Sequence, residues 1–342
     1  MVSTPHAMPS TCAPALLSVR GLTVSYDGRG RPPVPALRKV DLDIAPGEIV
    51  GILGESGSGK STLALSMLGL LPAGAHTEGS ICFEDKDLSG AAESCWAAIR
   101  GAKIAMIFQE PSFALSPVMR CGEQIGEVIR AHRRGERKQR KQEAEAALKD
   151  AGLSDVDRIY KAYPHQLSGG ELHRVAIAQG LVCRPALVIA DEPTRSLDVT
   201  LQAEALKALR DMNRKFGSAL IFITHNPALL SGFADRVLVM YAGRIVEAGA
   251  VAQVYRRPLH PYTKALLQLV PEQLERARSF SALTRRERLP AIPGSVSGLD
   301  YLAPGCAFEP RCSARTAGCA VESPQEIAPE PDRRVSCFNH GN

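Results

Sequence analysis

Two adjacent carboxylates, Asp191 and Glu192, close the apolar run "ALVIADEP", and Lys60 stands in the glycine-rich stretch Gly54-Glu55-Ser56-Gly57-Ser58-Gly59-Lys60-Ser61. Together these residue types could hold a polyphosphate and split it with water. The stretch fits G-x-x-x-x-G-K-[ST]. Its glycines let the main chain curl so that consecutive N–H groups face phosphate oxygens, and the helix entered at Ser61 and Thr62 adds its N-terminal dipole. Lys60 places a charge between β- and γ-phosphates, and Ser61 ligates Mg²⁺. Strand alternation should send Asp191 and Glu192 in different directions. Asp191 would then support Mg²⁺ through its water shell while Glu192 polarises the attacking water. Taken singly, each motif has a plain structural alternative: a flexible turn before a helix, or a strand capped by acids.

A second candidate anion cradle lies between them. Leu167-Ser168-Gly169-Gly170-Glu171 precedes a helical pattern and so offers backbone amides at a helix start. One nucleotide needs only one such cradle, and a second makes most sense if it closes over a nucleotide held by another subunit.

The elements that must position these residues follow from periodicity. "LLSVRGLTVSYD" and "VDLDIAPGEIVGIL" alternate apolar and polar residues, as strands of a partly exposed sheet do. From about Ala91 to Leu181 the pattern becomes helical. The short runs "ALVIA" and "ALIFIT" read as buried parallel strands, so strand and helix alternate around the phosphate loop in an α/β core. Beyond about Val254, Pro- and Gly-dense stretches predict linkers around a small, loop-rich appendage.

Composition sets outer bounds. With 342 residues, 45% of them hydrophobic, the chain can bury one large core or two modest ones. A net charge of +5 does not by itself nominate nucleic acid. Arg130 to Lys141 holds seven Lys or Arg, but Glu136, Glu143 and Glu145 break up the field and no aromatics are interleaved for base stacking, so it reads as a solvated face. No apolar run approaches the roughly 18 residues of a membrane-spanning helix, and no signal peptide opens the chain, which predicts a cytoplasmic protein. Of nine cysteines, Cys306, Cys312, Cys319 and Cys337 share the tail. In a reducing compartment that clustering argues for a local task rather than a disulfide framework.

In this order, over about residues 15 to 255, the motifs resemble the ATP-binding cassette (ABC) family, the motor subunits of ABC transporters. The resemblance implies a P-loop NTPase with a RecA-like core, an antiparallel β subdomain and an α-helical subdomain at about 91–181. It identifies Tyr26 with the aromatic that stacks on adenine, Gln109 with the Q-loop residue that also reaches Mg²⁺, and "LSGGE" with the signature motif. Asp198 in "RSLD" matches the D-loop and His225 in "FITHN" the switch histidine that contacts the γ-phosphate. Ser168, Gly169, Gly170 and Asp198 would act across a dimer of cassettes. Two positions depart from the pattern: Glu171 stands where the signature usually has Gln, and Ser196 where the D-loop usually has Ala. An added carboxylate near a triphosphate would cost binding unless it points away.

In the region 256–342, "PLHPYTKALL", "LPAIPGSV" and "GCAFEPRC" resemble the C-terminal region of ATPase subunits of oligopeptide and dipeptide importers. Five, six and seventeen residues separate its four cysteines. That spacing is similar to the family pattern implicated in holding a [4Fe–4S] cluster. Soft thiolates also suit zinc, although the usual C-x₂₋₄-C pair is absent, and four free thiols are the third reading. The resemblance implies ATP hydrolysis that powers peptide import at the cytoplasmic face of the membrane. The implied partners are a second, paralogous ATPase subunit, two permeases and, indirectly, an extracytoplasmic solute-binding protein. The same machinery could import nickel, a metallophore or glutathione. The rival readings are a non-transport ABC ATPase acting on DNA or ribosomes, and a nucleotide-gated module with little turnover.

Overall fold

The computed structural model describes residues 15–28, 33–195, 197–268, 292–296 and 304–340. Ser196 and parts of "LPAIPGSV" lie outside them. Strands β1 (Leu17–Tyr26), β2 (Val34–Ile44), β4 (Ala75–Phe83) and β5 (Lys86–Asp87) form an antiparallel sheet in the order β2-β1-β4-β5. The second sheet contains β3 (Ile49–Leu53), β6 (Ile104–Ile107), β7 (Leu187–Asp191), β8 (Ala219–Thr224), β9 (Arg236–Tyr241), β10 (Arg244–Ala250), β11 (Ile327–Glu330) and β12 (Arg333–Val335). Its order is β11-β12-β10-β9-β3-β8-β7-β6, parallel from β9 to β6.

Every residue of β3, β7 and β8 is buried, because both faces of the sheet are covered. Alternate residues feed two cores. Leu220 and Phe222 join the apolar faces of α4 (Cys121–His132), α5 (Arg137–Asp150) and α7 (Gly169–Leu181), whereas Ile221 and Ile223 join α1 (Lys60–Ser66) and the antiparallel sheet. Truncating Phe222 to Ala would cost about 3–5 kcal/mol. The phosphate loop and the paired acids thus sit at the ends of strands held from both sides.

The α/β alternation expected from the sequence is the observed architecture. The span read as helical differs in one respect: after α2 (Glu93–Ile99), Ile104–Ile107 forms β6, paired in parallel with β7. Four apolar residues are too few to show a strand period, and only the neighbouring strand makes them one. The remainder is α3 (Pro111–Ala114), α4, α5, α6 (Val156–Lys161) and α7. In the basic run, Arg133 pairs with Glu143 at 3.5 Å and Lys141 with Glu145 at 3.4 Å, while Arg133 also donates to the Cys183 carbonyl at 2.8 Å. Among the described residues no helix is long and apolar enough to cross a membrane.

The appendage is less separate than its composition predicts. β12 adds to the core sheet beside β10, aligning Val335 with Glu247 and Arg334 with Ala248. There the fully buried Arg333 and Glu247 form an ion pair at 3.0 Å. The Glu247 oxygens also accept from the Leu259 and His260 backbone N–H groups, both at 2.9 Å, between α9 (Val251–Arg256) and α10 (Pro261–Leu267). Such extra hydrogen bonds are what a buried pair needs to offset desolvation, and removing one partner would cost about 3–5 kcal/mol. His260 is buried too, and burial pushes its imidazole down to about 3. The neutral ring caps α10 by accepting from the Tyr262 N–H at 3.0 Å. Phe308 of the appendage packs on Tyr241 and Tyr262, both ring pairs 5.2 Å apart.

Candidate nucleotide site

The loop between β3 and α1 is shaped by what glycine alone permits. Gly59 precedes the helix at φ 103°, and a Cβ there would sit 2.7 Å from the Ala36 carbonyl oxygen. At Gly54 a Cβ would strike the Met240 carbonyl and the Ser58 hydroxyl. Gly57, at φ 81°, faces open space. The backbone is therefore pressed against β2 and β9 at Gly59 and Gly54, and has room for a Cβ at Gly57. No side chain caps α1 and no acid lies in its first turn, so its leading amides are left for an external anion.

Lys60 is buried and its ammonium donates to the Gly54 and Glu55 carbonyls, both at 2.8 Å. Burial lowers its pKa, while the charges of Glu192, Asp191 and Glu55 pull it back up. Asp191, at the end of β7, hydrogen-bonds Ser61; burial raises its pKa, and Glu192 adds to the rise against the pull of Ser61 and Lys60. A cation beside Asp191 would relieve that cost.

Glu192 departs from the strand. Its φ of 44° is in the left-handed region, and its N–H stays tied to the Ile223 carbonyl of β8 at 3.0 Å. A left-handed turn, rather than strand alternation alone, is what parts the two acids. Such backbone strain in a non-glycine residue costs about 1–3 kcal/mol and clusters at functional sites. Glu192 Oε1 is 3.0 Å from His225 Nδ1. Its Oε2 is buried with no hydrogen bond, Arg195 lying 3.5 Å away.

Ser56, Gly57, Gly59, Lys60, Ser61, Thr62, Gln109, Glu192 and Arg195 line one cleft of about 220 Å³. Asp191 and His225 adjoin it through Ser61 and Glu192. With its amide oriented to satisfy both ends, Gln109 accepts from the Arg195 guanidinium. Tyr26 stands at the end of β1 and hydrogen-bonds the Thr62 hydroxyl at 3.3 Å. The donor set of Ser61, Asp191 and Gln109 is all oxygen, which fits Mg²⁺.

Ser168, Gly169, Gly170 and Asp198 do not line that cleft. Ser168 caps α7 in a capping box: its hydroxyl accepts from the Glu171 N–H at 3.3 Å, and its own N–H donates to Glu171 Oε2 at 2.9 Å. The other Glu171 oxygen pairs with Arg158. The Ser168 N–H foremost, helped by Arg158, holds the Glu171 carboxyl below its usual range. The unusual acid of the signature stretch is thus engaged within its own chain. Asp198 caps α8 (Val199–Phe216), accepting from the Leu201 N–H at 2.9 Å.

Three arginines at these sites were not singled out from sequence. Arg195 lies three residues from Glu192, a visible signal. Arg158 and Arg311 carry none: Arg158 reaches Glu171 from α6, and Arg311 reaches Glu55 of the phosphate loop across 256 positions.

All four tail cysteines line a further cavity, along with His260 and Phe308. Burial pushes the Cys306 thiol up to about 11 and raises Cys312 and Cys337. Among the described residues no three His, Cys, Asp or Glu side chains are arranged to hold a metal ion, so the expected iron–sulfur ligation gains no support from the geometry.

Residues 37–195 match the ABC transporter family, and residues 246–319 match the oligopeptide/dipeptide transporter C-terminal region. The oligopeptide transport ATP-binding protein AppD of Bacillus subtilis is 43% identical over 325 residues, 94% of this chain and 96% of that protein. The dipeptide transport ATP-binding protein DppD of Haemophilus influenzae is 40% identical, covering 94% and 95%. Among solved structures, the dimeric bacterial ABC transporter cassette MJ0796 superposes with a TM-score of 0.62 at 29% identity, over 69% of this chain and 98% of its own.

Proposed function

Because the chain belongs to the ABC transporter family, as an ATP-binding subunit carrying the oligopeptide/dipeptide transporter C-terminal region, we propose that its ATP hydrolysis drives import of di- or oligopeptides through membrane permeases. The names of its relatives support the peptide cargo. One observation carries the chemistry: Glu192 brings a buried carboxylate oxygen without a hydrogen bond to the cleft that the phosphate loop lines.

In this reading the loop amides and Lys60 hold the β- and γ-phosphates. Ser61, Asp191 and Gln109 would hold Mg²⁺, which supplies charge neutralisation to the phosphates. Glu192 Oε2 takes the proton of the attacking water, while His225, bonded to Oε1, fixes the carboxylate. Tyr26 offers its ring to adenine. Ser168, Gly169, Gly170 and Asp198, away from this cleft, serve the nucleotide of a second cassette, for which a paralogue is the expected partner. The whole works on the cytoplasmic face, supplied by an extracytoplasmic binding protein.

Glu192→Gln in the assembled transporter tests this reading. ATP should still bind while hydrolysis falls more than about 100-fold and labelled-peptide uptake stops. Wild-type turnover in the variant would remove Glu192 as the base. Uptake of nickel or glutathione in place of peptide would reassign the cargo.

Cys306, Cys312, Cys319 and Cys337 are proposed to ligate a [4Fe–4S] cluster that staples the appendage. Support comes from the spacing of the four cysteines, which resembles the importer-family pattern, and not from the geometry, which brings the thiols to one cavity without arranging them as metal ligands. Anaerobically isolated protein should contain iron and acid-labile sulfide, both lost in Cys312→Ser. Metal-free protein with an unchanged melting temperature would leave four free thiols.

A further inference from the structure

The phosphate loop contains one acid, Glu55, and a carboxylate is the wrong charge for a cradle that receives a triphosphate. Arg311, in the 3₁₀ turn Glu309–Arg311 of the appendage, meets that carboxylate as a fork: Nη1 donates to Oε2 at 2.7 Å and Nη2 to Oε1 at 3.0 Å. The arginine is only 7% exposed. Its other N–H groups are also used: Nε on the Pro293 carbonyl at 2.6 Å, Nη2 on the Gly294 carbonyl at 3.3 Å, and Nη1 on the Tyr241 hydroxyl at 3.3 Å. Five donors thus meet five acceptors, while the guanidinium lies over the Tyr241 and Phe308 rings. On the loop side, the Glu55 N–H donates to the Tyr262 hydroxyl at 2.9 Å and its carbonyl accepts from Lys60. Glu55 is also one of the charges that Lys60 feels.

We propose that Arg311 is a positioning residue for ATP: by occupying both oxygens of Glu55 it stops the loop's own carboxylate from competing with the triphosphate for Lys60, so the C-terminal appendage is part of the nucleotide site. Lysine could not replace it, because one ammonium cannot span both oxygens and both carbonyls. The inference rests on the reading that this loop holds ATP phosphates, and is independent of cargo and of the state of the cysteines.

The test is Mg·ATP affinity of the purified full chain, measured with a fluorescent ATP analogue beside thermal melting. Arg311→Gln should weaken binding about tenfold. Adding Glu55→Gln to it should recover most of that loss, since the repelling charge is gone. Arg311→Lys should lose about threefold, recovered in the same way, and serves if Arg311→Gln does not fold. Wild-type affinity in the folded Arg311 variants, or a double variant as weak as its Arg311 parent, overturns the proposal. Lys60→Ala separates the two levels: if it binds ATP normally the phosphate-loop reading itself fails, whereas normal loss there with no Arg311 effect sinks only this inference.

Discussion

The helices α1 and α7 both begin after a Ser-Gly-rich stretch, yet their first turns are finished in opposite ways. α1 starts from Gly59 with neither a side-chain cap nor an acid, whereas α7 starts from Ser168 with Glu171 closing a capping box and Arg158 neutralising it. One helix start is left open for an external anion; the other carries its own. An open start costs stability and gains a ligand, and a self-capped start is stable alone and must exchange partners before it can serve another nucleotide. In the proposed reading, a single chain therefore holds one site ready and one in reserve.

The sharpest way to break this contrast is at the glycines. Gly59→Ala forces a side chain to φ 103° and against the Ala36 carbonyl, so ATP binding should fall more than about 100-fold. A Cβ at Gly169 meets nothing within 4 Å, and Gly169→Ala should melt with the wild type. Calorimetric titration and melting curves check both. Next in size is Ser168→Ala: loss of the cap should cost about 1 kcal/mol of stability. Hydrolysis by the assembled transporter should fall about tenfold or more, while ATP affinity of the isolated chain stays as it was. Equal losses in chain and complex would erase the distinction between the two starts.

Smaller effects sharpen the comparison. Glu171→Gln preserves the capping box and removes its charge, so KM for ATP in the complex should fall about two- to threefold; Arg158→Gln, which frees that charge, should raise it by a similar factor. The smallest is a pH effect. The Glu171 carboxyl is held below its ordinary value, so the folded chain binds fewer protons there than the unfolded one. Its stabilisation is complete above the usual glutamate range and is lost as pH falls through the folded value. The melting-temperature gap between wild type and Glu171→Gln, under about 2 °C at pH 7, should narrow as pH falls below the usual glutamate range.

Much of the core was legible because its parts are local. The apolar runs that became β7 and β8 and the glycine spacing of the phosphate loop each state their structure within ten residues. β6 was not legible: four apolar residues become a strand only beside β7. Nor was the appendage, whose Pro-rich composition predicts loops but whose Arg333 meets Glu247 inside the core sheet. Lys60, Gln109, Glu192, Gly57 and Gly59 line one cleft, although they are drawn from three separate stretches of the chain. Arg311 on Glu55 and Arg158 on Glu171 could not be anticipated, since an arginine in sequence shows its charge and not its partner.

From the residue string alone came the class of fold, the phosphate loop, the paired acids and the family, because each depends on short-range spacing that the backbone turns directly into geometry. Folding alone decided which charges neutralise which. Coulomb and hydrogen-bond energies depend on distance and burial, and residues 256 positions apart acquire both only when the appendage docks beside the loop.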